Sequence, residues 1–194
     1  MIVITNPSAI ANEISIIDSL FKEGLSLLHI RKPAFTVIEM TQFIDQIKPE
    51  YRDRLVIHHH HQLAEDFGIN RIHFSEKERR NSSLIDSERK IFSTSTHSIE
   101  DFNSLENDFD YAFLSPVFTS ISKENYHPKA NLFEALKLKT NHNIKVIALG
   151  GIDSKNIQKA LENGFDDVAL LGSIWNSEKP IKQFKLCQKI VLSR

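Results

Sequence analysis

Short apolar runs punctuate this chain: MIVIT (1–5), LSLLHI (25–30), RLVIH (54–58), INRIHF (69–74), KIFSTS (90–95), FDYAFL (109–114), IKVIALG (144–150) and FDDVAL (165–170). They show little alternation of apolar and polar positions, which is the pattern of parallel strands buried on both faces. Four of them follow a helical pattern closed by glycine or Asn-Asp, in FKEG, EDFG, LEND and LENG. Such residues tolerate the left-handed backbone that ends a helix, so each junction predicts a helix turning within three residues into a strand. Strands are expected to begin near residues 1, 26, 54, 70, 90, 110, 144 and 167. Helical patterns fill most intervals, over 10–23, 35–48, 61–67, 98–106, 131–139, 154–163 and 179–192.

Eight strands alternating with helices predict an α/β protein with a parallel sheet, closed as a compact (β/α)₈ TIM barrel forming a single domain over 1–194. The length is short for that fold, so the helices must be trimmed, above all in SEKERRNSSLIDSER after strand four. An open doubly wound sheet is the alternative. It fits less well, because MIVITNPSA offers no glycine-rich turn after strand one.

Charge changes the picture by exclusion. Twenty-four basic and twenty-five acidic residues leave a net charge of −1, which argues against nucleic acid as a partner and favours a small ligand. Cys187 is the only cysteine, the N-terminus has no secretory pattern, and no apolar run is long enough to cross a bilayer, so a cytoplasmic protein without membrane partners is expected. A homo-oligomer is left open.

In a barrel the chemistry sits where the strands end. The ends after strands seven and eight read ALGGID and LLGSIW, the usual position of a phosphate cradle in this fold. Gly150 and Gly151 would let the backbone approach an anion, and Gly172 and Ser173 would add N–H groups and a hydroxyl. Arg31, at the end of strand two, is a fixed cation with a fork suited to phosphate oxygens, and Lys32 and Lys123 would add charge.

These strand ends resemble those of the thiamine phosphate synthase family, which includes the thiazole tautomerases, and the resemblance covers nearly the whole chain. The family's Gln-x-Arg-x-Lys appears as His29-Ile30-Arg31-Lys32-Pro33, and its Ile-Asn-Asp followed by Leu-Ala as Ile57-His58-His59 and Leu63-Ala64. His-x-Gly-Gln-x-Asp appears as His73-Phe74-Ser75-Glu76-Lys77-Glu78, the fifth-strand serine as Ser95, and the Gly-Pro loop as 115–123, including Ser122 and Lys123. Gly-Gly-Ile is Gly150-Gly151-Ile152.

The resemblance implies a transferase that joins an aminopyrimidine methyl diphosphate to a thiazole phosphate, releasing pyrophosphate through a pyrimidine carbocation with the help of magnesium. It implies catalytic roles for Arg31, His29, His59, Ser95 and Lys123, and substrate or phosphate contacts from Lys32, His58, Ser122, Gly150, Gly151, Gly172 and Ser173. Magnesium (Mg2+) would fall to Glu78 and His59, although imidazole is a poor match for a hard ion. His58 and His59 are expected at the pocket, with His60 and His61 opening a helix. Two alternatives stay open: a thiazole phosphate tautomerase, whose sixth-strand histidine aligns with Pro116, and a barrel that only binds thiazole or thiamine phosphate.

Overall fold

The computed structural model describes residues 1–81, 90–119 and 131–193. Eight parallel strands close in chain order into a barrel: β1 (Ile2–Ile4), β2 (Leu27–Ile30), β3 (Leu55–Ile57), β4 (Arg71–Phe74), β5 (Ile91–Thr96), β6 (Tyr111–Leu114), β7 (Lys145–Ala148) and β8 (Asp167–Leu170). Ile2 pairs with Leu27 of β2 on one side and Ala169 of β8 on the other, which shuts the ring. Each strand begins within about two residues of its expected start.

The helices are α1 (Glu13–Lys22), α2 (Val37–Asp45), α3 (Leu63–Asp66), α4 (Glu76–Asn81), α5 (Ile99–Asn103), α6 (Leu132–Leu136), α7 (Ile157–Glu162), α8 (Gly172–Trp175) and α9 (Pro180–Leu192). Most are shorter than the apolar pattern predicts. Two elements lie outside it: the short α8, and a 3₁₀ segment, Pro49–Arg54, in front of β3. Among the described residues no helix is long and apolar enough to cross a membrane.

Strand alternation sorts the side chains into two compartments. Outward residues such as Val3, Leu28, Ile30, Leu55, Ile57, Ile72, Ala112, Leu114, Val146, Val168 and Leu170 pack against the helices in one large core. Inward, Ile2, Ile4, Tyr111, Phe113, Ile147 and Ala169 form a smaller cluster on β1 and β6–β8. On β2, β4 and β5 the inward positions nearer the mouth are polar, with His29, His73 and Ser93 buried there and Ser95 above them, while Leu27 and Ile91 below them are apolar.

The same alternation corrects Lys32. Arg31 turns to the barrel mouth, so its neighbour turns out, and Lys32 is fully buried between barrel and helices. Its ammonium lies 2.6 and 2.8 Å from the two Glu13 carboxylate oxygens, donates to Ser8 O at 3.0 Å, and sits 4.9 Å over the Phe43 ring. Lys32 is therefore a structural clamp between β2 and the start of α1 and not a phosphate ligand. Removing one partner of a buried pair leaves the other charge uncompensated, so Glu13→Ala is expected to cost about 3–5 kcal/mol of stability in chemical denaturation. The double change Glu13→Leu with Lys32→Met should recover most of that loss; a single variant as stable as the parent contradicts the clamp.

Candidate active site

The barrel opens at the carboxyl ends of its strands into a cavity of about 680 Å³, within the size range of small-molecule sites. Arg31, His58, His59, Ser95, His97, Gly150, Gly151 and Gly172 line it, with Glu76, Lys77, Glu78 and Arg80 from α4. Its apolar wall comes from Ile4, Phe113, Pro116, Leu149, Ile152 and Leu171.

Arg31 is held by backbone, since its N–H donates to Thr5 Oγ1 at 2.8 Å. Its half-buried guanidinium pairs with no carboxylate or carbonyl among the described residues, and burial alone draws its pKa below the usual value. An unpaired, partly desolvated guanidinium facing a cavity is an anion site in waiting.

The glycines that rim the cavity also have a structural role. Gly150 and Gly151 have φ of 95° and 67°. A Cβ on Gly150 would meet Pro116 Cα at 2.8 Å, and one on Gly151 would meet Phe118 Cβ at 2.7 Å and Thr119 O. They let the loop after β6 pack on the end of β7, where Val117 and Phe118 N–H donate to Leu149 O and Gly150 O at 3.0 Å each. Gly172 opens α8 at the cavity. Ser173 does not line it: its Oγ is covered and has no partner among the described residues.

The histidine run separates into four environments. His58 lies at the floor, 6% exposed. His59 stands half-buried at the cavity wall, its pKa lowered first by burial and then by Arg31, against a raising effect from Glu78. His60 takes a left-handed φ of 57°, and its Nε2 donates to Phe35 O at 2.8 Å. His61 Nε2 donates to both His58 O (3.1 Å) and His73 O (3.2 Å), tying the ends of β3 and β4. His60 and His61 form the turn in front of α3, whose helix begins only at Leu63.

His29, expected to be catalytic, is one layer too deep: it is completely buried and does not line the cavity. Its Nε2 is 2.8 Å from Tyr111 Oη and its Nδ1 2.9 Å from His58 Nε2. His73 stacks on His58 with ring centroids 4.1 Å apart, its Nδ1 2.9 Å from Ser93 Oγ and its Nε2 3.0 Å from Ser95 Oγ. Burial, more than any neighbour, drives the pKa of His29 and His58 well below the ordinary value and that of His73 to about 3. All three are neutral.

Glu78 is committed to its own helix. Its Oε2 accepts from Ser75 N at 2.8 Å and Ser75 Oγ at 2.5 Å, while Glu78 N donates to Ser75 Oγ at 3.3 Å. Ser75-x-x-Glu78 is a capping box, a local signal that was visible in the sequence. Glu76, the other carboxylate of the cavity, is bound by Arg80 at 2.6 Å. One engaged carboxylate and the His59 imidazole do not fit magnesium, which requires a near-octahedral set of oxygens.

His97, at the end of β5, was passed over as a polar strand end. It is exposed in the cavity, and its Nδ1 lies 2.9 Å from Ser115 O. A carbonyl only accepts, so Nδ1 carries a hydrogen and donates it. The sixth-strand loop therefore has an imidazole beside Pro116 after all, supplied by the neighbouring strand. Tyr111 and Ser93 are site-supporting residues that strand-end reading missed, because they lie inside the strands, whereas His73, matched to the family motif without a role, also lines the cavity. Ser122 and Lys123 fall outside the described residues.

Fold and cavity together define a (β/α)₈ barrel with a cationic, glycine-rimmed cavity at its strand ends. The sequence profile of thiamine monophosphate synthase matches residues 1–174, and the chain belongs to that family. A thiamine phosphate pyrophosphorylase structure from Bacteroides thetaiotaomicron is 31% identical, with a TM-score of 0.79 over 98% of this chain and 96% of that one. The thiamine-phosphate synthase of Caldicellulosiruptor saccharolyticus is 24% identical over 186 residues, covering 93% of this chain and 84% of that protein. That of Prochlorococcus marinus is 27% identical over 166 residues, 82% of this chain, which spans about half of that relative's length (47%).

The neutral histidines carry a stability consequence. Their folded pKa values lie below the unfolded value of about 6.5, so the unfolded chain binds more protons and stability falls as pH drops through that value, down to about 3 for His73. Each histidine contributes a loss of about 1.4 kcal/mol per pH unit in that window. Guanidinium denaturation at pH 7.5, 6.0 and 5.0 should show this decline, and a flat profile contradicts a neutral histidine core.

Proposed function

We propose that this chain is a cytoplasmic thiamine phosphate synthase, joining an aminopyrimidine methyl diphosphate to a thiazole phosphate. The C–O bond to the diphosphate breaks, pyrophosphate leaves with the electron pair, and the thiazole nitrogen lone pair forms the new C–N bond. The observation that carries this reading is the half-buried Arg31 guanidinium, without a carboxylate or carbonyl partner among the described residues, at the mouth of a cavity with an apolar wall. A flat pyrimidine and a thiazole suit that wall, and a leaving diphosphate suits a planar cationic fork whose charge is already partly desolvated. Lys77, at the same rim, adds a second cation. Leaving-group charge is thus met by side chains, in keeping with a cavity whose donors do not fit magnesium. The apolar surface of Phe113, Leu149 and Leu171 keeps water from the carbocation until the thiazole captures it.

Support for the substrates comes from the family and from relatives named thiamine-phosphate synthase across most of this chain. Arg31→Ala is expected to slow pyrophosphate release by about 10² or more, the loss typical of one strong electrostatic donor. A coupled pyrophosphate assay with both substrates measures it. A parent enzyme that releases no pyrophosphate, or an unchanged rate in the variant, overturns the reading.

A further inference from the structure

The two positions that correspond to the family's magnesium ligands are put to other uses here, and α4, which carries one of them, presents cations to the cavity instead. Ser75 holds Glu78 Oε2 through its N–H at 2.8 Å and its hydroxyl at 2.5 Å, which leaves that carboxylate one oxygen. The other position is the His59 imidazole. A small hard dication seated between them gains one anionic oxygen and disturbs the cap of the helix that supplies it.

α4 is firmly placed. Arg79 Nη2 lies 3.0 and 2.9 Å from the two Asp101 carboxylate oxygens, and its Nε donates to Thr94 Oγ1 at 3.2 Å, so the helix is fastened to β5 and α5. Around that anchor, Glu76, Lys77, Glu78 and Arg80 line the cavity. The ion pairs of α4 involve Arg79 and Arg80 and leave Lys77 without a carboxylate partner among the described residues. Arg80 reaches Glu76 at 2.6 Å, but its side chain is 64% exposed. Such a pair is screened by water and salt, so an anion of higher charge competes for the guanidinium. A diphosphate is such an anion, and the arginine fork matches two of its oxygens. With Arg31, the lining offers three cations against two carboxylates, an excess that attracts an anion and repels a free dication.

We propose that this enzyme holds and releases its diphosphate without a divalent cation: Arg31, Lys77 and Arg80 together take the part that magnesium plays in the family, and Glu76 keeps Arg80 paired until the diphosphate displaces it. The proposal rests on the synthase reading. As the C–O bond breaks, its electron pair stays on the diphosphate oxygen, and the three side chains meet that charge with N–H donors already at the cavity. Lys77 and Arg80 are additions to the diphosphate site that no family motif marks. Glu76 opposes binding, and its removal is therefore a gain.

Calorimetry with inorganic pyrophosphate, on protein stripped of metals and held in EDTA or in MgCl₂, tests the site apart from turnover. Binding is expected in EDTA, with MgCl₂ giving no tighter Kd. In EDTA, Lys77→Ala and Arg80→Ala should each weaken pyrophosphate by about fivefold or more, whereas Glu76→Gln should tighten it by about threefold. A metal-held diphosphate predicts the reverse for Glu76→Gln, since that change removes a carboxylate from the cavity. Chromatography of quenched reactions with both substrates should show thiamine phosphate forming in EDTA at a rate within about twofold of that in MgCl₂. Pyrophosphate binding or product formation only with MgCl₂, unchanged affinity in both alanine variants, or weaker binding by Glu76→Gln overturns metal independence and leaves the synthase reading standing. No product in either buffer overturns both. Where a variant does not fold, the comparison of EDTA with MgCl₂ on the parent protein decides alone.

Discussion

Closing short strands into a ring forces every second side chain into a space with no solvent, and the rest of this molecule follows from how that space is filled. On β1 and β6–β8 the filling is aliphatic or aromatic; on β2, β4 and β5 imidazoles and hydroxyls stand above apolar residues such as Leu27 and Ile91. A buried polar group must find a partner. The His29–His58 and His73–Ser95 hydrogen bonds satisfy that demand and at the same time fix the floor of the cavity. The alternation that sends Arg31 to the cavity sends Lys32 into the outer core, where Glu13 neutralises it.

This division gives the site two electrostatic levels. The floor is uncharged, because burial keeps His29, His58 and His73 neutral. Charge is confined to the mouth, where Arg31 and Lys77 stand with the Arg80–Glu76 ion pair and the capped Glu78. An anionic group is drawn to the rim, whereas a flat heterocycle rests on a surface that can exchange hydrogen bonds without gaining charge. In a low-dielectric interior that separation matters more than the chain's nearly zero net charge.

Departures from the family motifs acquire plain causes in three dimensions. Glu78 keeps a carboxylate at a metal-ligand position, but Ser75 claims it for the start of α4. His59 presents an imidazole where a hard cation requires oxygen. The loop after β6 keeps the family's proline as Pro116, where the departure is Ser115 for glycine, and His97 reaches Ser115 O from β5. Gly150 and Gly151 serve first to seat that loop against β7.

The sequence by itself determined the order, type and starting points of the strands, because a strand buried on both faces must be apolar and a helix that turns sharply into one needs Gly or Asn at its end. It therefore determined the barrel, and with it the end of the barrel where Arg31, His59 and Gly150 stand. The pattern over 61–67 did not reveal that the helix there shrinks to Leu63–Asp66, since packing and not propensity sets where a short helix begins. Depth and facing were decided only by the tertiary structure. His29 and Arg31 are two residues apart on one strand and on one face, yet one is sealed below the floor and the other meets the cavity. Lys32 looks like a second phosphate cation until strand alternation and Glu13, nineteen positions away, bury it. Tyr111 joins His29 across eighty-two positions, a contact that exists only because eight strands bend round until β2 and β6 share one interior.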